Sequence, residues 1–113
     1  MHEMSLVEGV LQLIEEAASK DSFTKVTAVW LEIGQLSAVE PNAIAFCFDA
    51  VMRGTVAEGA RLEIISVPGQ ALCKACGAIV ALVELVGTCP QCGGVDLQIT
   101  AGNRMRVKEL EVQ

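Results

Sequence analysis

The chain contains no tyrosine, one tryptophan, three phenylalanines and a single histidine. Its four aromatic residues, Phe23, Trp30, Phe46 and Phe48, all stand in the first half, so no large aromatic core holds the second half together. One histidine cannot alone build a histidine-based catalytic site, and no nucleophile–base pair stands out elsewhere; an enzyme is not expected. Positive charge is also scarce. Eight Lys and Arg against fourteen Asp and Glu give a formal net charge of −6. Nucleic-acid binders gain affinity by neutralising phosphates with Lys and Arg. A chain that repels phosphate on average, with no basic cluster, is not expected to bind DNA or RNA. The same charge suits a protein that handles cations or meets basic partners. Long apolar runs are missing too. The run Ala78 to Val83 is stopped by Glu84, well short of the roughly 20 residues a membrane span needs. Met1-His2-Glu3 opens without Lys or Arg and leads directly into an amphipathic pattern, which is not a secretory signal. The expectation is no membrane, a cytoplasmic location and reduced thiols.

What is present is a 113-residue chain, 52% hydrophobic and 19% charged, too apolar for disorder. Ser5-Leu6-Val7-Glu8 has the form of a capping box. Leu6, Val7, Val10, Leu11, Ile14, Ala17 and Ala18 then recur at helical spacing, so a first helix is expected from Ser5 to Lys20, preceded by residues 1–3. Residues 25–34 are rich in β-branched and apolar residues and predict a strand, with Thr27, Val29, Leu31 and Ile33 inward. Pro41 suits the first turn of a second helix, with Ile44, Ala45, Phe48, Val51 and Met52 as its apolar stripe and Gly54 as its stop. Residues 60–67 predict a second strand, with Leu62 and Ile64 on one side, ended by Pro68-Gly69. The tail from Asn103 to Gln113 predicts a third, in which the apolar parity slips near Lys108-Glu109 as at a bulge. A lone terminal strand cannot fold by itself, so it should return to the sheet of residues 1–68. The fold class is then α+β: two helices on a three-stranded sheet, built from residues 1–68 and 99–113, with a cysteine-rich module inserted at 69–98.

That module carries Cys73-Lys74-Ala75-Cys76-Gly77 and Cys89-Pro90-Gln91-Cys92-Gly93, separated by the twelve residues 77–88. Each CxxC turn brings two sulfurs to one metal, and the glycine after it lets the chain fold back with positive φ. Four thiolates suit tetrahedral zinc, in a closed and therefore structural site. Iron of the rubredoxin kind and two disulfides are the alternatives. Rubredoxins are dense in aromatics around the metal, whereas residues 69–98 have none, and nothing points to export. Cys47, among Ala45, Phe46 and Phe48, reads as a core filler.

His2 has two readings. It is a solvated terminal residue, or it belongs to a chelating terminus. In the second case the Met1 amine, the His2 backbone nitrogen and the His2 imidazole close adjacent rings on one ion, and the Glu3 backbone nitrogen supplies a fourth donor. Four nitrogens in a plane suit Ni(II) or Cu(II). Initiator methionine is trimmed before small residues, and His is large, so the free amine would be that of Met1.

With both ends in view, the chain resembles the HypA/HybF family of hydrogenase-maturation nickel-insertion factors over its whole length. The marks are Met1-His2-Glu3, the first helix, Val29-Trp30-Leu31-Glu32-Ile33-Gly34, Glu40, the two cysteine pairs, and Gly102-Asn103 before Met105-Arg106. The resemblance implies a nickel-binding α/β domain with a zinc domain. Its nickel site carries over to His2 with Glu3 beside it and the terminal nitrogens, Met1 included. Some members place an Asp oxygen ligand where Glu40 stands, one methylene longer; Glu40 also suits a helix N-terminal charge. The zinc ligands carry over to Cys73, Cys76, Cys89 and Cys92. The implied activity is transfer of Ni(II), as transient cargo, to the large subunit of [NiFe]-hydrogenase, with a GTPase partner; a homodimer is compatible with it. The rival readings are a zinc-ribbon protein–protein adaptor without its own nickel site and a rubredoxin-like electron carrier.

Overall fold

The computed structural model describes residues 2–85 and 87–113. Its elements follow in the order α1 (His2–Asp21), β1 (Val26–Gly34), α2 (Pro41–Met52), β2 (Arg61–Val67), β3 (Gly69–Cys73), β4 (Ile79–Leu82), β5 (Leu97–Ala101) and β6 (Met105–Val112). They form two three-stranded sheets, ordered β2-β1-β6 and β4-β3-β5. No helix among the described residues is long and apolar enough to cross a membrane.

The chain divides into two compact units. The first holds residues 2–31, 40–65 and 106–113; the second holds 32–39, 66–85 and 87–105. In the first, α1 packs against α2. The helical spacing read from the sequence sorts α1 correctly: Val7, Val10 and Ile14 are buried, while Leu6, Leu11, Ala17 and Ala18 are half-buried. The helix starts three residues earlier than the capping box predicts, at His2, so Ser5 and Glu8 lie inside it and exposed. The earlier start puts the Glu3 carboxylate in the first turn, where it complements the helix dipole.

Pro41 opens α2 as expected, and Gly54 follows its end at φ +76°. Ile44, Cys47, Phe48 and Met52 are buried, and Ala45 is exposed rather than part of the stripe. β1 is central. Gly34 N–H donates to Arg104 O, and Gln113 N–H to Lys25 O, so β6 runs antiparallel to it and the tail strand does return to this sheet. Along β1, Val29, Leu31 and Ile33 are buried as expected. Thr27 is not: Val26 and Ala28 take the core on its part of the strand, and the Thr27 hydroxyl donates to the Glu111 carboxylate at 2.8 Å. In β6 the half-buried positions are Met105, Val107 and Leu110, with Lys108 and Glu109 both exposed, which places the parity slip where the sequence puts it.

The second unit is built on β3, flanked by antiparallel β4 and β5. Its buried cluster is Leu36, Ala71, Cys73, Val80, Leu82 and Cys89, with Ala78, Leu97 and Ile99 packed against it. Leu36 is held by its own N–H donating to Gly102 O at 2.7 Å. Gly102 has φ +82°, and a Cβ there would stand 2.5 Å from Pro68 O, so backbone meets backbone where no side chain fits.

Candidate metal centres

Cys73 ends β3, and Cys76 follows in the turn to β4. Gly77 N–H donates to Cys73 O at 2.7 Å, and Gly93 N–H donates to Cys89 O at 2.8 Å. Both turns therefore close in the same way. Gly77 and Gly93 adopt φ +77° and +75°, the left-handed conformation expected after each CxxC. The two turns bring the Sγ atoms of Cys73, Cys76, Cys89 and Cys92 within 4.8 Å of one another. Cys73 to Cys92 is 3.6 Å and Cys76 to Cys89 is 3.8 Å. A tetrahedron with metal–sulfur bonds of about 2.3 Å has edges of about 3.8 Å. A disulfide would need sulfurs at about 2.05 Å. The spacing fits a shared ion, and all five cysteines are free thiols. The cluster has the donor set of a structural zinc site.

Backbone amides support the sulfurs, as such ligands require. Gln91 N–H points at Cys89 Sγ and Gly94 N–H at Cys92 Sγ, each at 3.4 Å. The amides of Cys92 and Gln91 draw the Cys89 thiol down to about 7. Cys92 goes the other way. Although the Gly94 amide favours its thiolate, the neighbouring Cys73 sulfur and burial push it up to about 12. Cys76 is raised too, its Ala78 amide outweighed by Cys73 and burial. Sulfurs this close do not all ionise alone; a divalent cation among them supplies the missing stabilisation. Cys47 is fully buried in α2, away from this cluster, as its apolar neighbours imply.

At the other end of the sequence, His2 and Glu3 occupy the first turn of α1 rather than preceding it. The His2 side chain is 60% exposed, and that of Glu3 only 16%. His2 Nδ1 stands 3.5 Å from the Glu3 carboxylate. The same carboxylate accepts from Glu40 N–H at 3.4 Å. Its pKa lies below the usual carboxylate value because the Glu3 and Glu40 amides hold the charged form, with His2 adding to the effect. Glu40 caps α2: its carboxylate accepts from Asn42 N–H at 2.9 Å and from Ala43 N–H at 3.4 Å. Met1 lies outside the described residues. Among the described residues, the four cysteines are the group of potential ligands gathered tightly enough for an ion. The sequence reading missed the Glu3–Glu40 link. It joins residues 37 apart through a backbone N–H, and no pattern of residue types announces such a donor.

The four-cysteine cluster of the second unit has the donor set of a protein that binds metal. Comparison with known proteins gives the family. Residues 1–112 match the family described as hydrogenase/urease nickel incorporation, metallochaperone, HypA. The hydrogenase maturation factor HypA of Albidiferax ferrireducens is 68% identical over 113 residues, covering all of both chains. That of Azotobacter vinelandii is 56% identical, again over all of both. The solution structure of the Ni metallochaperone HypA from Helicobacter pylori superposes with a TM-score of 0.74 at 30% identity, covering 97% of this chain and 96% of that one. A second HypA solution structure superposes at 0.76 and 32% identity, covering 100% and 97%. The chain belongs to the HypA family of nickel metallochaperones.

Proposed function

We propose that this chain carries Ni(II) at its N-terminus and hands it to the large subunit of a [NiFe]-hydrogenase in the cytoplasm, working with a GTPase partner. In this reading the first unit handles nickel, and the second, which contains residues 69–98, holds zinc. The observation that carries it is the position of His2: the chain's only imidazole, 60% exposed, at the very start of α1. The first N–H groups of a helix have no partner within it. Backbone nitrogens of His2 and Glu3 can therefore lose their protons to a metal without breaking a helical hydrogen bond. The positive end of the helix dipole opposes a cation there, and the Glu3 carboxylate beside His2 offsets it. The donors are the Met1 amine, the His2 imidazole and the backbone nitrogens, a planar set that suits Ni(II). Glu40 is committed to capping α2 and acts by holding Glu3 in place through its amide.

Calorimetric titration with Ni(II) tests this on three proteins: the untagged chain, a chain with two residues added before Met1, and His2→Ala. The extension turns the terminal amine into an amide, a far poorer donor. Tight binding is expected in the untagged chain alone, with zinc content and helicity equal in all three. Acid should weaken it, since protons compete for the same nitrogens. Equal nickel affinity in all three proteins would refute the terminal site.

A further inference from the structure

The four sulfurs of the second unit differ in what can reach them. Cys73 and Cys89 are buried, at 0% and 2% exposure, and belong to that unit's buried cluster. Cys76 and Cys92 are exposed. Two short approaches cross between the CxxC turns: Cys73 Sγ meets Cys92 Sγ at 3.6 Å, and Cys76 Sγ meets Cys89 Sγ at 3.8 Å. Each of these pairs therefore joins a sulfur at the surface to one in the core.

A disulfide holds its sulfurs about 2.05 Å apart, so each pair has to close by roughly 1.5–1.8 Å. Rotation of the two side chains can cover that distance while the backbone stays as it is. The turns are closed by their own hydrogen bonds, Gly77 N–H to Cys73 O and Gly93 N–H to Cys89 O, which do not involve the sulfurs. No side chain stands against the first pair at position 94, where the residue is glycine. A Cβ there would lie 3.2 Å from Cys92 Sγ and 3.8 Å from Cys73 Sγ.

We propose that this cluster is also a site of reversible oxidation by hydroperoxides: Cys92 and Cys76 are attacked, Cys73 and Cys89 resolve them, and the products are the disulfides Cys73–Cys92 and Cys76–Cys89. The inference rests on the zinc reading of the cluster and is independent of the nickel site. The exposed Cys92 thiolate attacks one oxygen of hydrogen peroxide; the O–O bond breaks, hydroxide leaves and the sulfur becomes a sulfenic acid. The Cys73 thiolate then attacks that sulfur. The S–S bond forms, the S–O bond breaks and a second hydroxide leaves. Cys76 and Cys89 repeat both steps. In sum, the four thiolates and two peroxides give two disulfides and four hydroxides, each disulfide giving up the two electrons that one peroxide takes. Only a thiolate is a metal ligand, so the cage loses its donors and with them its ion. Both bonds run between the turns, so the oxidised turns stay joined, and a dithiol reductant with Zn(II) restores the site by exchange. Cys47, fully buried in α2, takes no part.

Treating the zinc-loaded full chain with hydrogen peroxide, then quenching with catalase, tests this. Zinc release to a chromogenic chelator, thiol count after denaturation and mass spectrometry are read on the same samples. Free thiols should fall from five to one, and alkylation should place the remaining one at Cys47. Trypsin with a glutamyl endopeptidase gives the peptides 64–74, 75–84 and 85–104, which carry Cys73, Cys76, and Cys89 with Cys92. The expected pairing links all three peptides. Fragmentation at the Cys89–Pro90 bond should then assign Cys92 to Cys73 and Cys89 to Cys76. Zinc should leave as the thiols disappear, and dithiothreitol with Zn(II) should return it. A chain that purifies without zinc would overturn the zinc reading and the proposal with it. A zinc-loaded chain that keeps its ion and thiols through peroxide would overturn the proposal alone. So would any other pairing, Cys73 with Cys76 included, or oxidation to sulfinic acids that the reductant cannot reverse.

Discussion

Replacing Cys76 by Ser should unfold the second unit and leave the first standing. The buried cluster of that unit is six residues, and two of them, Cys73 and Cys89, are themselves zinc ligands in this reading. Of the rest, Leu36, Val80 and Leu82 each contribute about 1.5–3 kcal/mol on burial, or about 5–9 kcal/mol together. Fixing the backbone of a single residue costs about 1–2 kcal/mol, so these side chains alone cannot hold the segment. A structural zinc ion contributes about 10–16 kcal/mol in apparent terms. Of these contributions the metal's is the largest. Serine at 76 stays a neutral hydroxyl near pH 7 and is a poor fourth ligand. The wild type should hold one zinc ion per chain, at its single four-cysteine cluster. Cys76→Ser should hold far less. The amides of Leu36, Gly77 and Gly93, hydrogen-bonded in the folded unit, should lose their protection from exchange, while the helical amides of α1 keep theirs. Metal analysis and hydrogen exchange on the same samples check both halves. Full zinc content in the variant, or protected Gly77 and Gly93 amides without zinc, would refute the argument.

Two further outcomes test the first unit. Ile14 is fully buried in α1, so Ile14→Ala should destabilise that unit by about 2–5 kcal/mol; denaturant unfolding followed by helical circular dichroism measures it, and zinc content should not change. The Glu3 carboxylate is stabilised in its charged form, with its pKa below the ordinary 4.5. A group depressed on folding adds stability that is fully present above its unfolded pKa and is lost as pH falls through the folded value. The stability difference between wild type and Glu3→Gln should therefore be constant near neutrality and shrink below about pH 4.5, read from unfolding midpoints across the acid range.

Much of this was legible where local chemistry decides alone. The CxxCG turns announce their own geometry, because glycine in the left-handed region and two sulfurs three residues apart leave little choice. Pro41 and Gly54 bracket α2 for the same reason. Periodicity found the buried stripe of α1 because a 3.6-residue repeat over sixteen residues is hard to mistake. It failed where tertiary partners override local rules. Ser5-Leu6-Val7-Glu8 would cap a helix in isolation, yet Glu3, engaged with the Glu40 amide, lies within α1 and the helix begins at His2. Thr27 alternates with the core residues of β1 in sequence, but its hydroxyl is drawn to Glu111, 84 residues away. Leu36, in the connection between β1 and α2, packs with Ala71, Val80 and Leu82. No local pattern encodes contacts of that span.

A protein that keeps one metal and passes on another must hold their donor sets apart, and the chemistry of this chain separates them by softness and by closure. Thiolates suit zinc better than hard, oxygen-seeking ions, and Cys73, Cys76, Cys89 and Cys92 would together fill its four positions, leaving no open one through which a second ligand could draw it off. The fifth thiol, Cys47, is fully buried in α2 and offers no stray soft donor to an incoming ion. In the proposed reading the cargo meets the reverse arrangement: few ligands, all nitrogen, on a terminus that a receiving protein can approach from several sides. Each donor that leaves the nickel ion regains a proton or a water without disturbing the helix behind it, because the first amides of α1 owe no bond to the helix. Release is then a stepwise exchange of ligands, and the fold need not open to permit it.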